Sequence, residues 1–363
     1  MKGVPHIKRP DWSRIHRDTS FRAYTPILAL LSLIYSGGIH LRHQAYRHQL
    51  MKGQALPGLV VSVGNLTVGG TGKTPAIITL AQWAVRQGYR TAILSRGYGG
   101  KRQKIPLAVS DGSDTGVTGD EPYLLANALP GVPVVVFEKR YQAGLYAKER
   151  FGTDLFLLDD GFQHLELKRD MDIVLVDAVR PFGNGHLLPW GPLREPVDGL
   201  RRADAIVLTR YEDGDAAEGT AASLKRRFPS TPLFYANHRP REVVFANRSG
   251  TRSPACLKLI RVAAFAGIAH PDVFRKTLEH IGAHVAAFRQ FSDHHRYTRR
   301  DIESLDRMKT DAGASLLLTT EKDWVRIAKM VPADVDIAYL TIEFSFLPNS
   351  DGFFRMLRDG LKA

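Results

Sequence analysis

The sequence holds a single cysteine, Cys256. That excludes an internal disulfide framework and a zinc site built from cysteines, and it fits a reducing compartment. Long apolar runs are also missing. A membrane-spanning helix needs about 20 apolar residues, whereas the run Thr25 to Leu41 holds 17 and is broken by Gly37-Gly38. No repeat or low-complexity tract is present, so fibrous, solenoid and polytopic membrane classes are set aside. Acidic residues fall short as well: 37 Asp+Glu face 50 Lys+Arg, a net charge of +13 over 363 residues. An excess of that size calls for an anionic partner.

The surplus is concentrated at the start. Met1 to Val60 carries nine cationic residues (Lys2, Lys8, Arg9, Arg14, Arg17, Arg22, Arg42, Arg47, Lys52) against Asp11 and Asp18, a local net charge of +7. An apolar helix flanked by lysine and arginine reads as an arm lying in an anionic leaflet rather than as a buried core helix. The leader is too long and lacks the cleavage site of a secretory signal. Nucleic acid is not expected, because no RNP pattern, zinc-finger spacing or helix-turn-helix is present. No obligate protein partner is evident.

Beyond the arm, continuous apolar runs alternate with helical stretches. Leu59–Val63, Thr91–Leu94, Val132–Phe137, Asp154–Leu158, Asp172–Val176 and Ala205–Leu208 predict buried parallel strands, with helices over Thr74–Gln87 and Pro122–Ala128. The fold class is therefore α/β: a P-loop NTPase-like, doubly wound, mostly parallel sheet, with a second smaller α/β domain and an N-terminal membrane-associated helix. The expected divisions are an arm over 1–53, a kinase core over 54–232, a short two-stranded polar linker over 233–258, and a smaller C-terminal domain over 259–363.

The sharpest local signal is the strand Val60–Val63 running into Gly64-Asn65-Leu66-Thr67-Val68-Gly69-Gly70-Thr71-Gly72-Lys73-Thr74. Glycines let successive backbone N–H groups wrap phosphates, and the following helix adds the positive end of its dipole. Residues 67–74 (Thr67, Val68, Gly69, Gly70, Thr71, Gly72, Lys73, Thr74) thus form a candidate nucleotide site, with Lys73 on the β- and γ-phosphates and Thr74 on Mg²⁺. Thr67 stands where the strict P-loop pattern has its first glycine. A second signal is the strand end Asp154–Asp160, whose paired carboxylates suit a metal beside such a loop. Adjacent strand residues face opposite ways, so Asp159 and Asp160 should do different jobs. Asp177, at the end of the next strand, reads as a turn aspartate.

Taken together, the motifs resemble the tetraacyldisaccharide 4′-kinase family of lipid A biosynthesis. The resemblance rests on Gly64–Pro75 (GNLTVGGTGKTP), Ser95–Gly99 (SRGYG), Gly119–Pro122 (GDEP) and Asp159–His164 (DDGFQH). It continues through Gly185–Pro196 (GHLLPWGPLREP), Phe291–Thr298 (FSDHHRYT) and Thr319–Trp324 (TTEKDW). In this family threonine is usual at the position of Thr67. The resemblance implies transfer of the γ-phosphoryl group of ATP to the 4′-hydroxyl of a tetraacylated glucosamine disaccharide 1-phosphate at the cytoplasmic face of the inner membrane. It further implies Asp120 as base, assisted by His294, which would raise the basicity of the carboxylate. Asp160, Glu195 and Thr74 would hold Mg²⁺, and Arg96 and Arg194 would contact phosphate. From local sequence alone Asp120 could equally be a helix cap, and either arginine a surface ion pair. A kinase acting on a small soluble acceptor would share the site without needing the arm. A nucleotide switch would need neither Asp120 nor His294.

Overall fold

The computed structural model describes residues 25–110, 112–212, 214–246, 250–348 and 350–362. Six cations of the arm, from Lys2 to Arg22, lie outside the described residues. In chain order the first elements are α1 (Thr25–Arg47), β1 (Leu59–Asn65), α2 (Lys73–Arg86), β2 (Thr91–Ser95), β3 (Leu107–Ala108), α3 (Thr115–Thr118) and α4 (Asp120–Ala128). Next come β4 (Val134–Val136), α5 (Arg140–Phe151), β5 (Leu155–Asp159), β6 (Met171–Asp177), β7 (Ala205–Thr209), α6 (Asp215–Arg227), β8 (Leu233–Phe245) and β9 (Thr251–Arg252). The chain closes with β10 (Arg261–Ala266), α7 (Pro271–Ile281), β11 (His284–Gln290), α8 (Arg299–Asp311), β12 (Leu316–Thr320), α9 (Glu321–Ile327), β13 (Ile337–Phe346) and α10 (Ser350–Gly360).

One 13-stranded sheet runs through both halves in the order β11-β10-β12-β13-β8-β7-β6-β1-β5-β2-β4-β3, with β9 beside β8. Its pairs are parallel except β8 with β13, β8 with β9 and β3 with β4. Strand β1 is central and buried on both faces, as its continuous apolar run requires. The register sets Val63 against Asp159, so the glycine loop after β1 and the acidic end of β5 emerge side by side. Helix α2 covers this region by turning Ala76, Ile77, Leu80, Ala81, Trp83 and Ala84 into the core, a helical stripe.

The segment 233–258 does contain two antiparallel strands, but β8 is 13 residues long and belongs to the main sheet. Leu233–Tyr235 pairs with β7, and from Ala236 onward the same strand pairs with β13. Its polar sequence hid this, because a strand between two antiparallel or mixed neighbours can keep half-exposed side chains. Pro240 is accommodated where the ladder shifts register between Thr341 and Ile342. The end of the chain departs from the expected division at 259. Helix α10 returns to the first half, where Phe353 and Leu357 join Trp83 and Phe344 in one buried cluster.

Helix α1 runs straight through Gly37-Gly38 and is not long and apolar enough to cross a membrane, nor is any other described helix. It docks by polar groups: the Ser32 hydroxyl donates to Leu187 O (2.9 Å), the Tyr35 hydroxyl to Arg194 O (2.9 Å) and Arg42 to Gln163 O (3.1 Å). Ile27, Leu30, Leu33, Ile34 and Leu41 remain exposed, Leu33 and Leu41 each at 70%.

If α10 is part of the first core, Phe353→Ala should cost about 3–5 kcal/mol in urea unfolding. A loss below about 1 kcal/mol would show that the helix only rests on the surface.

Candidate active site

The loop after β1 is held open by its neighbours. Thr67 forms a bridge with Leu193, the Val68 N–H donates to Pro192 O (2.8 Å), and the Arg194 N–H donates to Leu66 O (2.7 Å). Gly69 and Gly72 have φ of 110° and 86°, conformations that favour glycine. A Cβ on Gly72 would also lie 2.1 Å from His238 Nε2. The loop feeds directly into α2, whose first turn has no side-chain cap. Its N–H groups are therefore available to an anion. Lys73 Nζ donates to Asn65 Oδ1 (3.2 Å) and lies 3.4 Å from Asp160 Oδ1.

The two adjacent carboxylates do face different partners. Asp159 ends β5 fully enclosed and accepts from Ser95 Oγ (2.9 Å). Burial, followed by the charges of Glu121 and Asp160, pushes its carboxyl up to about 6. Asp160 sits one residue on at φ 54° and accepts from Arg194 (2.6 Å). Burial opposes its ionisation, but Lys73 and Arg194 outweigh that and hold it at about 2. Its Oδ1 is buried and accepts no hydrogen bond, an oxygen that a hard cation would satisfy. Thr74, the second residue of α2, carries a hydroxyl at the start of that helix. Among the described residues no three acidic, His or Cys groups converge as a metal cluster. That suits Mg²⁺, which takes one or two protein oxygens and fills its shell with phosphate and water.

Glu195 follows Arg194, the residue that pairs with Asp160. It is fully buried, and its two oxygens accept from Gln163 (2.8 Å) and Arg202 (2.8 Å), as a desolvated carboxylate requires. Arg96 is exposed and lies 3.9 Å from Glu138. Asp177 is the turn aspartate expected: Oδ1 accepts the N–H groups of Val179 (2.9 Å) and Arg180 (2.8 Å), while Oδ2 pairs with Arg210.

A second cluster forms where α4 meets α9, beside α2. Asp120 opens α4 and is buried. His294 Nδ1 lies 3.3 Å from Asp120 Oδ2, and the His294 backbone is left-handed (φ 56°), which aims the ring inward. Two further cations come from α9. Arg326 Nε donates to Asp120 Oδ2 (2.7 Å), and Lys322 Nζ donates to Glu121 Oε1 (2.8 Å). Burial works against the charge on Asp120, but His294, Arg326 and Lys322 together hold it far below the usual carboxylate range. This reverses one expectation: the surroundings lower the basicity of Asp120 rather than raise it. Lys322 and Lys73 also depress Glu121 against its burial, which places this cluster within electrostatic reach of the phosphate loop. Sequence reasoning assigned Arg326 and Lys322 no role, although Lys322 lies within a motif singled out above.

A phosphate loop serves switches and pumps as well as transferases. Beside this loop stand a buried carboxylate and an imidazole, groups of the kind a P-loop kinase needs for an incoming hydroxyl. The family model described as tetraacyldisaccharide-1-P 4′-kinase matches residues 24–362, and the chain belongs to that family. It is a kinase of lipid A biosynthesis. The tetraacyldisaccharide 4′-kinase of Syntrophus aciditrophicus is 41% identical over 351 residues, covering 92% of this chain and 93% of that protein. The one from Syntrophobacter fumaroxidans is 42% identical over 322 residues, covering 87% and 83%. A crystal structure of the “apo” form of LpxK from Aquifex aeolicus in complex with ATP has a TM-score of 0.72 at 31% identity, covering 93% of this chain and 99% of that one.

The raised Asp159 carboxyl gives a signed prediction. The folded state favours its protonated form, so the wild type loses stability as pH rises from the unfolded value through about 6. Asp159→Asn keeps an acceptor for Ser95 and removes that cost. In nucleotide-free and metal-free protein, the variant should match the wild type near about pH 4 and exceed it by about 1–2 kcal/mol near about pH 8. Parallel stability curves across that range would refute the assignment.

Proposed function

We propose that this kinase transfers the γ-phosphoryl group of ATP to the 4′-hydroxyl of a tetraacylated glucosamine disaccharide 1-phosphate, with Asp120 as the proton acceptor. The observation that carries the reading is the meeting of Asp120 and His294 at 3.3 Å beside the phosphate loop. The N–H groups of residues 69–74 bind the phosphate chain, and Lys73 balances charge on its outer groups. Thr74, Asp160 and Glu195 would hold Mg²⁺, which would supply charge neutralisation to the phosphoryl group in transfer. Arg194 orients Asp160, and Glu195 fixes Gln163 and the loop that carries Arg194. A weakly basic Asp120 suits this chemistry. In a loose transition state little charge builds on the attacking oxygen until late, so the acceptor need only orient the hydroxyl and take its proton at the end. His294 orients that carboxylate from the other half of the sheet.

Arg140, Arg169, Arg42 and Arg96 surround His164; burial first, then these charges, hold its imidazole at about 4 and therefore neutral. The membrane part of the reading rests on α1. It docks beside Arg194 by polar groups and leaves a row of aliphatic side chains exposed, so the acceptor would be met at an anionic inner-membrane surface on the cytoplasmic side. The kinase core over 54–232 would bind nucleotide, and the chain beyond the linker would supply His294.

Lys73→Ala and Asp120→Ala should each lower transfer of labelled γ-phosphate to the glycolipid by about a hundredfold or more. Transfer at the wild-type rate by either variant would remove that residue from its role. Leu33→Asp with Leu41→Asp should weaken co-sedimentation with anionic phospholipid vesicles by about tenfold or more. Unchanged sedimentation would detach α1 from the membrane.

A further inference from the structure

Lys322 lies in the TTEKDW segment, which the proposed chemistry leaves without a role. The residues around it fix the start of α9. The Thr320 hydroxyl accepts from the Asp323 N–H (3.1 Å) and donates to Asp323 Oδ2 (2.8 Å), and the same Oδ2 accepts from the Gly267 N–H (2.9 Å) just past β10. Asp323 is fully buried, and its Oδ1 accepts from the Tyr297 hydroxyl (3.1 Å) and Arg326 Nη1 (3.0 Å). Trp324 stacks on Tyr339 of β13, with ring centroids 5.5 Å apart. Lys322, the second residue of this anchored helix, reaches out of its own half to α4.

Its ammonium group ends beside the acceptor pair. Nζ donates to Glu121 Oε1 (2.8 Å) and lies 3.5 Å from His294 Nε2. The other ring nitrogen, Nδ1, lies 3.3 Å from Asp120 Oδ2 and 3.2 Å from Arg326 Nη2, and Asp293 Oδ1 is 3.9 Å from Nε2. Burial works against the charge on Lys322, but Glu121, then Asp293 and Asp120, outweigh it and raise the amine above its ordinary value. It is therefore an ammonium, with three N–H donors. Glu121 takes one, and the contact to His294 is long, so donor capacity is left for a ligand. Arg326 differs, because its guanidinium is committed to Asp120, Asp323 and Gly267 O.

A hydroxyl must come within hydrogen-bond reach of the group that takes its proton. One served by Asp120 and His294 arrives at a surface that includes Lys322 Nζ, and the phosphorus it attacks must lie next to it. Glu121 feels the charge of both Lys322 and Lys73, so the acceptor cluster and the phosphate loop are close enough to share that group. We propose that Lys322 is a catalytic residue that contacts the phosphoryl group in transfer from the acceptor side, as Lys73 does from the nucleotide side. The bond from the γ-phosphorus to the β–γ bridging oxygen breaks, and the bond to the acceptor oxygen forms. The hydroxyl proton passes to the acceptor pair, and Lys322 keeps its own protons. Its charge meets the negative charge spread over the three equatorial oxygens. Before nucleotide arrives, Glu121 holds the ammonium in place. The inference rests on the reading that Asp120 and His294 serve an incoming hydroxyl.

The test uses the full-length protein in detergent with ATP, Mg²⁺ and the glycolipid. Lys322→Gln keeps a donor for Glu121 without the charge. It should lower kcat about a hundredfold or more, while KM for ATP stays within about threefold. Lys322→Arg, which restores a cation, should recover part of kcat. A transition-state mimic separates contact with the phosphoryl group from a structural ion pair. Retention of labelled ADP is measured with Mg²⁺ and glycolipid, with and without aluminium fluoride. The fluoride should tighten ADP on the wild type, and that gain should fall at least about tenfold in Lys322→Gln while ADP alone binds within about threefold of wild type. A wild-type kcat in Lys322→Gln would overturn the proposal. So would a full aluminium fluoride gain in the fraction of that variant that circular dichroism shows to be folded. Asp120→Asn is assayed alongside: full activity there removes the role of the acceptor pair and the inference with it. An inactive Asp120→Asn beside a wild-type Lys322→Gln removes only the role of Lys322.

Discussion

The constraint on which the rest depends is the hydrogen-bond ladder of β8. Its first residues pair in parallel with β7, and the remainder pairs antiparallel with β13. A backbone ladder fixes register as well as distance. The strands of the second half therefore continue the sheet of the first, at a set height and angle. Helix α9, which follows β12 within that second half, is carried onto α4, and Arg326 and Lys322 reach Asp120 and Glu121 across 206 and 201 residues of sequence. His238 lies on the same strand, with its ring against Gly72 of the phosphate loop. The phosphate loop and the Asp120 cluster are thus both tied to this one sheet.

Charge is arranged in this site by pairing more than by exposure. Asp120, Asp159, Asp160, Glu121 and Glu195 are drawn away from water to differing degrees, and each solves the problem differently. Asp120 and Asp160 are matched by cations and stay ionised. Glu195 is tied to Gln163 and Arg202. Asp159 has only Ser95 for a hydrogen bond and is the one pushed upward. Such separation of neighbouring carboxylates lets one serve a metal while its neighbour holds the loop structure. The cost is local: unpaired or half-paired buried charge lowers stability, and it is tolerated where phosphate and a divalent ion are to be bound.

The phosphate loop and the acidic end of β5 were legible in the sequence because both are local. Each needs only a strand, a few glycines or carboxylates, and a helix in the right order, and the predicted strands 59–63 and 154–158 fall within a residue or two of β1 and β5. That Asp159 and Asp160 take different partners was expected from strand alternation, but Asp160 lies one residue past β5 in a left-handed conformation, so the turn and not the strand sets its direction. Asp120 and His294 were not local: spacing could not separate Asp120 from an ordinary cap, and the family resemblance singled them out. Arg326 went unseen because nothing in a seven-residue helix says that its sixth residue meets a carboxylate from the other half. Strand β8 was read as linker because its residues are polar and include Pro240. The return of α10 to the first core is likewise a tertiary fact, visible only once Phe353 is found beside Trp83 and Phe344.

The opening surplus of positive charge divides accordingly. Part lies in the arm, and part surrounds the DDGFQH turn, where Arg42, Arg96, Arg140 and Arg169 cluster around His164. The central claim is that a phosphate loop and a buried aspartate from one sheet deliver a phosphoryl group to a sugar hydroxyl rather than to water. The direct measurement is the stoichiometry and position of transfer. Purified protein in detergent is given ATP, Mg²⁺ and the monophosphorylated tetraacyl disaccharide, and the lipid product is read by phosphorus NMR. The account predicts one ADP for each new phosphomonoester on the 4′-oxygen. Release of ADP and free phosphate with the glycolipid unchanged would contradict it.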